Sequence, residues 1–130
     1  MPSFSKVDHI HVYVTDRLTT ENWYHDVLGF TRVPQLEVWF KEGGPLTLVN
    51  GGVHIALFDH PTKRGATIAF STDAENYLKW KTQLNKHNVE FKEYDHDLSW
   101  SFYFSDPDGN PYEITSFDYE EIAITKLSSV

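Results

Sequence analysis

Val7-Asp8-His9-Ile10-His11-Val12-Tyr13-Val14-Thr15-Asp16 runs shortly into Trp23-Tyr24-His25-Asp26-Val27-Leu28-Gly29-Phe30. The first stretch alternates. Ile10, Val12 and Val14 share one face of an extended chain, while His9, His11 and Tyr13 share the other, which predicts a strand over Val7–Val14. Asp16 offers a carboxylate N-cap for a helix reaching about Leu28, along which Trp23, Tyr24, Val27 and Leu28 line one side. Gly29 then provides the left-handed residue that closes such a helix.

Three further strands are predicted after this unit, near Phe30–Val38, Leu46–Asn50 and Val53–Phe58. They are separated by Gly43-Gly44-Pro45 and Asn50-Gly51-Gly52. The pattern then returns. Thr67–Thr72 reads as a strand, Asp73 as an N-cap, and Ala74–Lys86 as a helix with Tyr77, Trp80 and Leu84 on one stripe. His87-Asn88 closes that helix, Asn88 tolerating the left-handed conformation. Strands near Phe91–Tyr94, Trp100–Ser105 and Pro111–Thr115 complete the series, the last two joined by Asp106-Pro107-Asp108-Gly109-Asn110. The order β-α-β-β-β thus occurs twice. The expected architecture is α+β: paired βαβββ modules forming a curved, partly open eight-stranded mixed sheet around a cleft. One domain spans 1–130, with module one at about 6–60, module two at about 66–116, and a tail from 117 to 130 that folds as a short helix.

Composition narrows the function. An apolar fraction of 40% fits a globular chain. The formal charge of −8, with no basic run, disfavours nucleic acid and anionic membrane surfaces as partners. The absence of cysteine removes disulfides, thiolate metal sites and a cysteine nucleophile. Residues Met1 to Val7 lack a signal-peptide run, and no apolar stretch approaches the roughly 20 residues of a membrane span, so a cytoplasmic location is expected.

Splitting each strand by face gives two sets. Ile10, Val12, Val14; Val53, Ile55, Leu57; Ile68, Phe70; Phe102, Phe104; and Tyr112, Ile114 are apolar and should pack against the helices. The opposite faces carry His9, His11, Tyr13; His54, Ala56, Phe58; Thr67, Ala69, Ser71; Ser101, Tyr103, Ser105; and Glu113, Thr115. An antiparallel sheet with one wet side would also look like this. Yet the set is poor in Lys and Asp and rich in His, Tyr, Ser and Thr, the residues of a lined binding cleft.

The two opening stretches resemble the start of the vicinal-oxygen-chelate superfamily, which includes glyoxalase I, extradiol dioxygenases, bleomycin-binding proteins and fosfomycin-resistance thiol transferases. Ala66-Thr67-Ile68-Ala69-Phe70-Ser71 and Ser101-Phe102-Tyr103-Phe104-Ser105-Asp106-Pro107-Asp108-Gly109-Asn110-Pro111-Tyr112-Glu113 are similar to its second half. Gly52-Val53-His54-Ile55-Ala56-Leu57 resembles the matching strand of the fosfomycin-resistance branch. The likeness extends from about residue 6 to 116.

In metal-dependent members the first strand gives a His, the fifth a His and the last a Glu. The resemblance therefore places metal ligands at His9 and Glu113, and implies a divalent ion such as Mn, Fe, Ni or Zn acting as a Lewis acid on paired substrate oxygens. This sequence departs at the fifth strand, where Thr67 stands in place of His. His54, on the strand that gives glyoxalase I a ligand, is a candidate third donor; the matching position could instead be Ala56, and His11 is a further candidate. Without such a donor the pocket would bind an organic ligand alone. His11 and Tyr103 match positions that touch substrate in the fosfomycin-resistance branch. Tyr103 would donate to an anionic oxygen and His11 or His54 would serve as a general base. His54, Thr67 and Trp39 are expected to line the pocket, and His25, His60, His87 and His96 to be solvated. Two functions follow: a small-molecule enzyme of the glyoxalase type (lyase, isomerase or thiol transferase), or a metal-independent binder of a small molecule or antibiotic, as in bleomycin resistance. The resemblance further implies a homodimer.

Overall fold

The structure is a computed structural model and describes residues 1–128. The chain divides into two compact units. One comprises Met1–Gly65 together with Pro107–Asn110, the other Ala66–Asp106 together with the chain from Pro111 onward.

In the first unit, β1 (Ile10–Val14) leads into α1 (Arg17–Leu28), then β2 (Thr31–Arg32), a 3-10 turn (Pro34–Leu36), α2 (Glu37–Lys41), β3 (Leu46–Asn50) and β4 (Val53–Asp59). The strands are ordered β1-β4-β3-β2. β1 runs parallel to β4 and the other pairs are antiparallel. Asp16 caps α1 by accepting from the Leu18 and Thr19 amides, and Gly29 closes it at φ 68°. Val12, Val14, Tyr24, Val27, Leu28, Ile55 and Leu57 are buried, so the apolar strand face and the helix stripe make the core together.

Two sequence expectations need correction here. The first strand begins at Ile10 rather than Val7, leaving Met1 to His9 exposed ahead of it. The strand expected over Phe30–Val38 pairs only at Thr31–Arg32 and then coils into helical turns. Pro34 explains the break. It opens the 3-10 turn at a position where its fixed φ favours helical geometry and its missing amide hydrogen costs nothing. Phe40 on α2 then lies beneath the guanidinium groups of Arg17 and Arg32, 4.7 and 5.3 Å from its ring centre.

The turn 107–110 packs within this same unit. The Asp108 carboxylate accepts from the Thr15 amide (3.0 Å) and the Thr20 hydroxyl (2.9 Å), while its carbonyl accepts from Arg64 Nε (2.7 Å). Asn110, which is buried, accepts from the Gly65 amide (3.1 Å) and donates to the Tyr13 carbonyl (2.9 Å).

The second unit repeats the plan with β5 (Ile68–Ser71), α3 (Ala74–Lys86), β6 (Lys92–Asp95), β7 (Trp100–Ser105) and β8 (Pro111–Ser116), ordered β5-β8-β7-β6. β5 is parallel to β8. The eight strands are therefore hydrogen-bonded as two open four-stranded mixed sheets. Asp73 caps α3, and Asp118 accepts from the Ala74 amide as a second N-terminal cap (2.9 Å). Asn88, just past the C-cap His87, takes φ 58°, as its position in the sequence predicts. Tyr77, Leu84, Phe102, Tyr112 and Ile114 fill the core, with the Tyr77 and Phe102 rings 5.0 Å apart. The predicted tail helix is α4 (Tyr119–Ser128), packed on α3 and anchored by the fully buried Ile122; residues 129 and 130 lie outside the described residues.

Candidate functional site

In the first unit the polar strand face is a run of rings. His9 stacks on His11 with centroids 5.0 Å apart, His11 meets Phe58 at 4.7 Å, and Tyr13 meets Phe58 at 5.9 Å. The parallel register explains this, since His11 stands opposite Ala56 and Tyr13 opposite Phe58. His9 lies one residue before the strand, yet its ring folds back so that its Nε2 is 3.1 Å from Nε2 of His11. Its other nitrogen, Nδ1, is 2.9 Å from the Asp8 carboxylate. A carboxylate only accepts, so His9 Nδ1 is the donor there. The hydrogen bond with His9 is the main reason the Asp8 carboxyl sits below its ordinary pKa; the charges of His9, Lys6 and His54 add to it.

His54 is half-buried on β4, opposite Val49 of β3. The two parallel strand pairs can be counted from their first residues, Ile10 with Ile55 and Ile68 with Tyr112. By that count Ala56, opposite His11, holds in the first unit the position that Glu113, opposite Ala69, holds in the second. Trp39 sits on α2 rather than on a strand and is half exposed.

In the second unit Glu113 lies between Ala69 of β5 and Tyr103 of β7. Burial chiefly, then the charge and hydrogen bond of Glu113, push the Tyr103 hydroxyl above its ordinary pKa. His96 was expected to be solvated. It is exposed, but its Nε2 stands 3.0 Å from the Tyr103 hydroxyl. The two groups share a hydrogen bond whose direction is set by the tautomer of the His96 ring. Only the hairpin geometry reveals this pairing: His96 begins the β6–β7 turn, its amide bonded to the Ser99 carbonyl (2.9 Å), and so folds back over Tyr103. Beyond Tyr103, Ser101 donates to Thr115 (2.9 Å), which satisfies a fully buried hydroxyl. Thr67 is exposed just ahead of β5.

Residues 6–114 match the Glyoxalase/Bleomycin resistance protein/Dioxygenase superfamily, a span that takes in both strand–helix repeats. The chain belongs to this superfamily. Solved structures agree at the level of fold. An integron cassette protein from the mobile metagenome of V. cholerae is 26% identical, with a TM-score of 0.67, covering 90% of this chain and 98% of its own. A virulence protein from Salmonella typhimurium is 25% identical at a TM-score of 0.66, covering 89% and 99%. A lactoylglutathione lyase from Agrobacterium tumefaciens is 22% identical at a TM-score of 0.71, covering 90% and 97%. Among proteins of curated function, none matches the sequence.

Members of this superfamily often hold a divalent metal, which requires converging His, Asp or Glu donors. Among the described residues no three His, Asp or Glu side chains converge as a three-ligand ion would need. Thr67 supplies a neutral hydroxyl where metal-dependent members place an imidazole. The superfamily's His–His–Glu set thus lacks its second imidazole at Thr67. What the first unit does offer is two imidazoles whose Nε2 atoms face each other.

Proposed function

We propose that this chain is a small-molecule enzyme of the glyoxalase type, a lyase, isomerase or thiol transferase that moves a proton at a carbon or sulfur next to an oxygen function. The observation that carries this reading is the chain of contacts from Asp8 through His9 to His11, 2.9 and 3.1 Å long, on an exposed strand face. An imidazole oriented by a carboxylate and set against a second imidazole is a base suited to neutral pH. His11 or His54 accepts the substrate proton. In the second unit, taken by itself, the Tyr103 hydroxyl, 3.0 Å from His96 Nε2, is a donor suited to an oxygen that gains charge.

Turnover tests this reading. Hemithioacetals of α-ketoaldehydes probe isomerase chemistry, and an electrophile with a thiol probes transfer. Replacing a general base costs about 10²–10⁴-fold in kcat/KM, so His9→Ala and Tyr103→Phe are expected to lower it at least that far into the range. Folded protein that turns over neither class, while binding a cationic aromatic ligand tightly, overturns the enzyme reading. It would favour the bleomycin-resistance type of function, which the charge of −8 and the half-exposed rings of Trp39 and Tyr94 accommodate. His9 and Glu113, the residues that the resemblance makes metal ligands, are each examined singly, as His9→Ala and Glu113→Gln, by metal content after purification without chelator. We further propose a homodimer, to be checked by light scattering against the 15.1 kDa chain mass.

A further inference from the structure

We propose that Asn50 is a modification site: an asparagine that loses its side-chain amide to the neighbouring backbone in water, and whose loss unlatches the end of α1. The inference concerns the β3–β4 hairpin rather than the histidine face, and it stands whether or not the chain turns over a substrate.

Asn50 ends β3 and pairs with Val53, so Gly51 and Gly52 form the tip of the hairpin. Both glycines are exposed. Gly51 has φ 57°, the left-handed backbone that suits the first position of a two-residue hairpin turn. It also carries no side chain to hinder movement of its peptide nitrogen. Of the asparagines only Asn50 precedes a glycine; the others precede Trp23, Tyr77, Lys86, Val89 and Pro111. Pro111 has no amide hydrogen at all, and the remaining four crowd their own nitrogens.

The step is an internal acyl transfer. The Gly51 nitrogen attacks Cγ of Asn50, an N–Cγ bond forms and the Cγ–Nδ2 bond breaks. The Gly51 proton passes to water, and Nδ2 takes up a proton and departs as ammonia. Water then opens the cyclic imide at either carbonyl, leaving an aspartate or an isoaspartate at position 50. Nothing is oxidised or reduced.

The fold restrains the first step. Nδ2 donates to the Leu28 carbonyl at 2.7 Å, which ties the side chain to the last residue of α1. Attack requires that bond to open, so the rate follows local opening of the hairpin rather than exposure of its tip. The product does not re-form the latch. A carboxylate has no hydrogen to donate to Leu28, and it brings negative charge to the negative end of the helix. An isoaspartate also lengthens the backbone by a methylene where Asn50 pairs with Val53.

The experiment incubates the full chain in mildly alkaline buffer, folded and in parallel in urea. Peptides spanning position 50 are followed by mass spectrometry for the change from amide to acid, with isoaspartate resolved by chromatography. In urea, Asn50 is expected to react ahead of every other asparagine; in the folded chain it should react at least about tenfold more slowly. Gly51→Ala, measured in urea so that its strain in the fold has no bearing, should slow the reaction several-fold. Asn50→Asp reproduces the product without rearrangement. It should lose hydrogen-exchange protection at the Gly29 and Phe30 amides, which bond the His25 and Tyr24 carbonyls at the end of α1. Asn88→Asp, beyond the end of α3, should leave that protection unchanged. Equal rates in the folded chain and in urea overturn the latch. Asn50 reacting no faster than the other asparagines in urea overturns the site, and unaltered protection in Asn50→Asp overturns the consequence for α1.

Discussion

Glu93 shows what a single half-buried carboxylate does in this molecule. Its oxygens accept from the Tyr77 hydroxyl (2.6 Å), from Lys81 Nζ (2.9 Å) and from Lys126 of the C-terminal helix. Burial by itself would raise its pKa, but the bonds from Lys126, Tyr77 and Lys81 outweigh that and hold it below the ordinary 4.5. Burial, then the bond to Glu93, pushes the Tyr77 hydroxyl upward. Removing one partner of such a network leaves the others desolvated without compensation, so Glu93→Ala should cost about 3 kcal/mol in denaturant unfolding. A depressed carboxyl pKa stabilises the fold above the unfolded value and ceases to do so as pH falls through the folded one. The gap in melting temperature between wild type and Glu93→Gln should therefore be full at pH 6 and shrink below 4.5. At this scale the sequence is partly transparent. The nearness of His9 to His11 follows from strand alternation, and it survives even though the strand starts at Ile10, three residues later than expected. The partnership of His96 with Tyr103 does not, because it depends on how a four-residue turn folds back, and no periodicity records that.

The helices were legible because their ends are written in the residue types. Asp16 and Gly29 bracket α1, and Asp73 and Asn88 bracket α3, as the capping chemistry requires. The two C-terminal positions differ in a way that can be measured. At Gly29 a β-carbon would sit in left-handed backbone and 3.2 Å from Asn50 Nδ2, which is itself bonded to the Leu28 carbonyl. Gly29→Ala should cost about 1–2 kcal/mol. Asn88 already bears the strain of φ 58°, so Asn88→Gly should be neutral or stabilising by up to about 1 kcal/mol. Chemical denaturation of both variants checks the pair, and a stabilised Gly29→Ala would contradict it. The stretch from Phe30 to Val38 was misread for the converse reason. Val33, Leu36 and Val38 look like strand residues, and the single signal against a strand, Pro34, is as common at a turn or strand edge as at a helical start. What draws the segment into a helix is tertiary: Arg32 is held by Glu21 through two bonds of 2.5 and 2.8 Å and covers Phe40.

For the molecule as a whole, the doubled β-α-β-β-β order could be read because each repeat carries its own strand, cap and helix signals in sequence. The assignment of Pro107–Asn110 could not, since four turn residues between two strands of the second unit give no local sign that they pack with the first. Asn110→Ala removes bonds to the Gly65 amide and the Tyr13 carbonyl from a buried position, and should cost about 2 kcal/mol by thermal or denaturant unfolding. A fragment of residues 1–65 would lack Asp108 and Asn110 altogether. It should give a far-ultraviolet spectrum and amide dispersion of a largely unfolded chain; cooperative unfolding of that fragment would contradict the expectation. Severing the backbone after Gly65 thus does not yield two self-sufficient halves: one piece is left with an open seam along Thr15, Thr20 and Tyr13, and the other carries the plug that belongs in it.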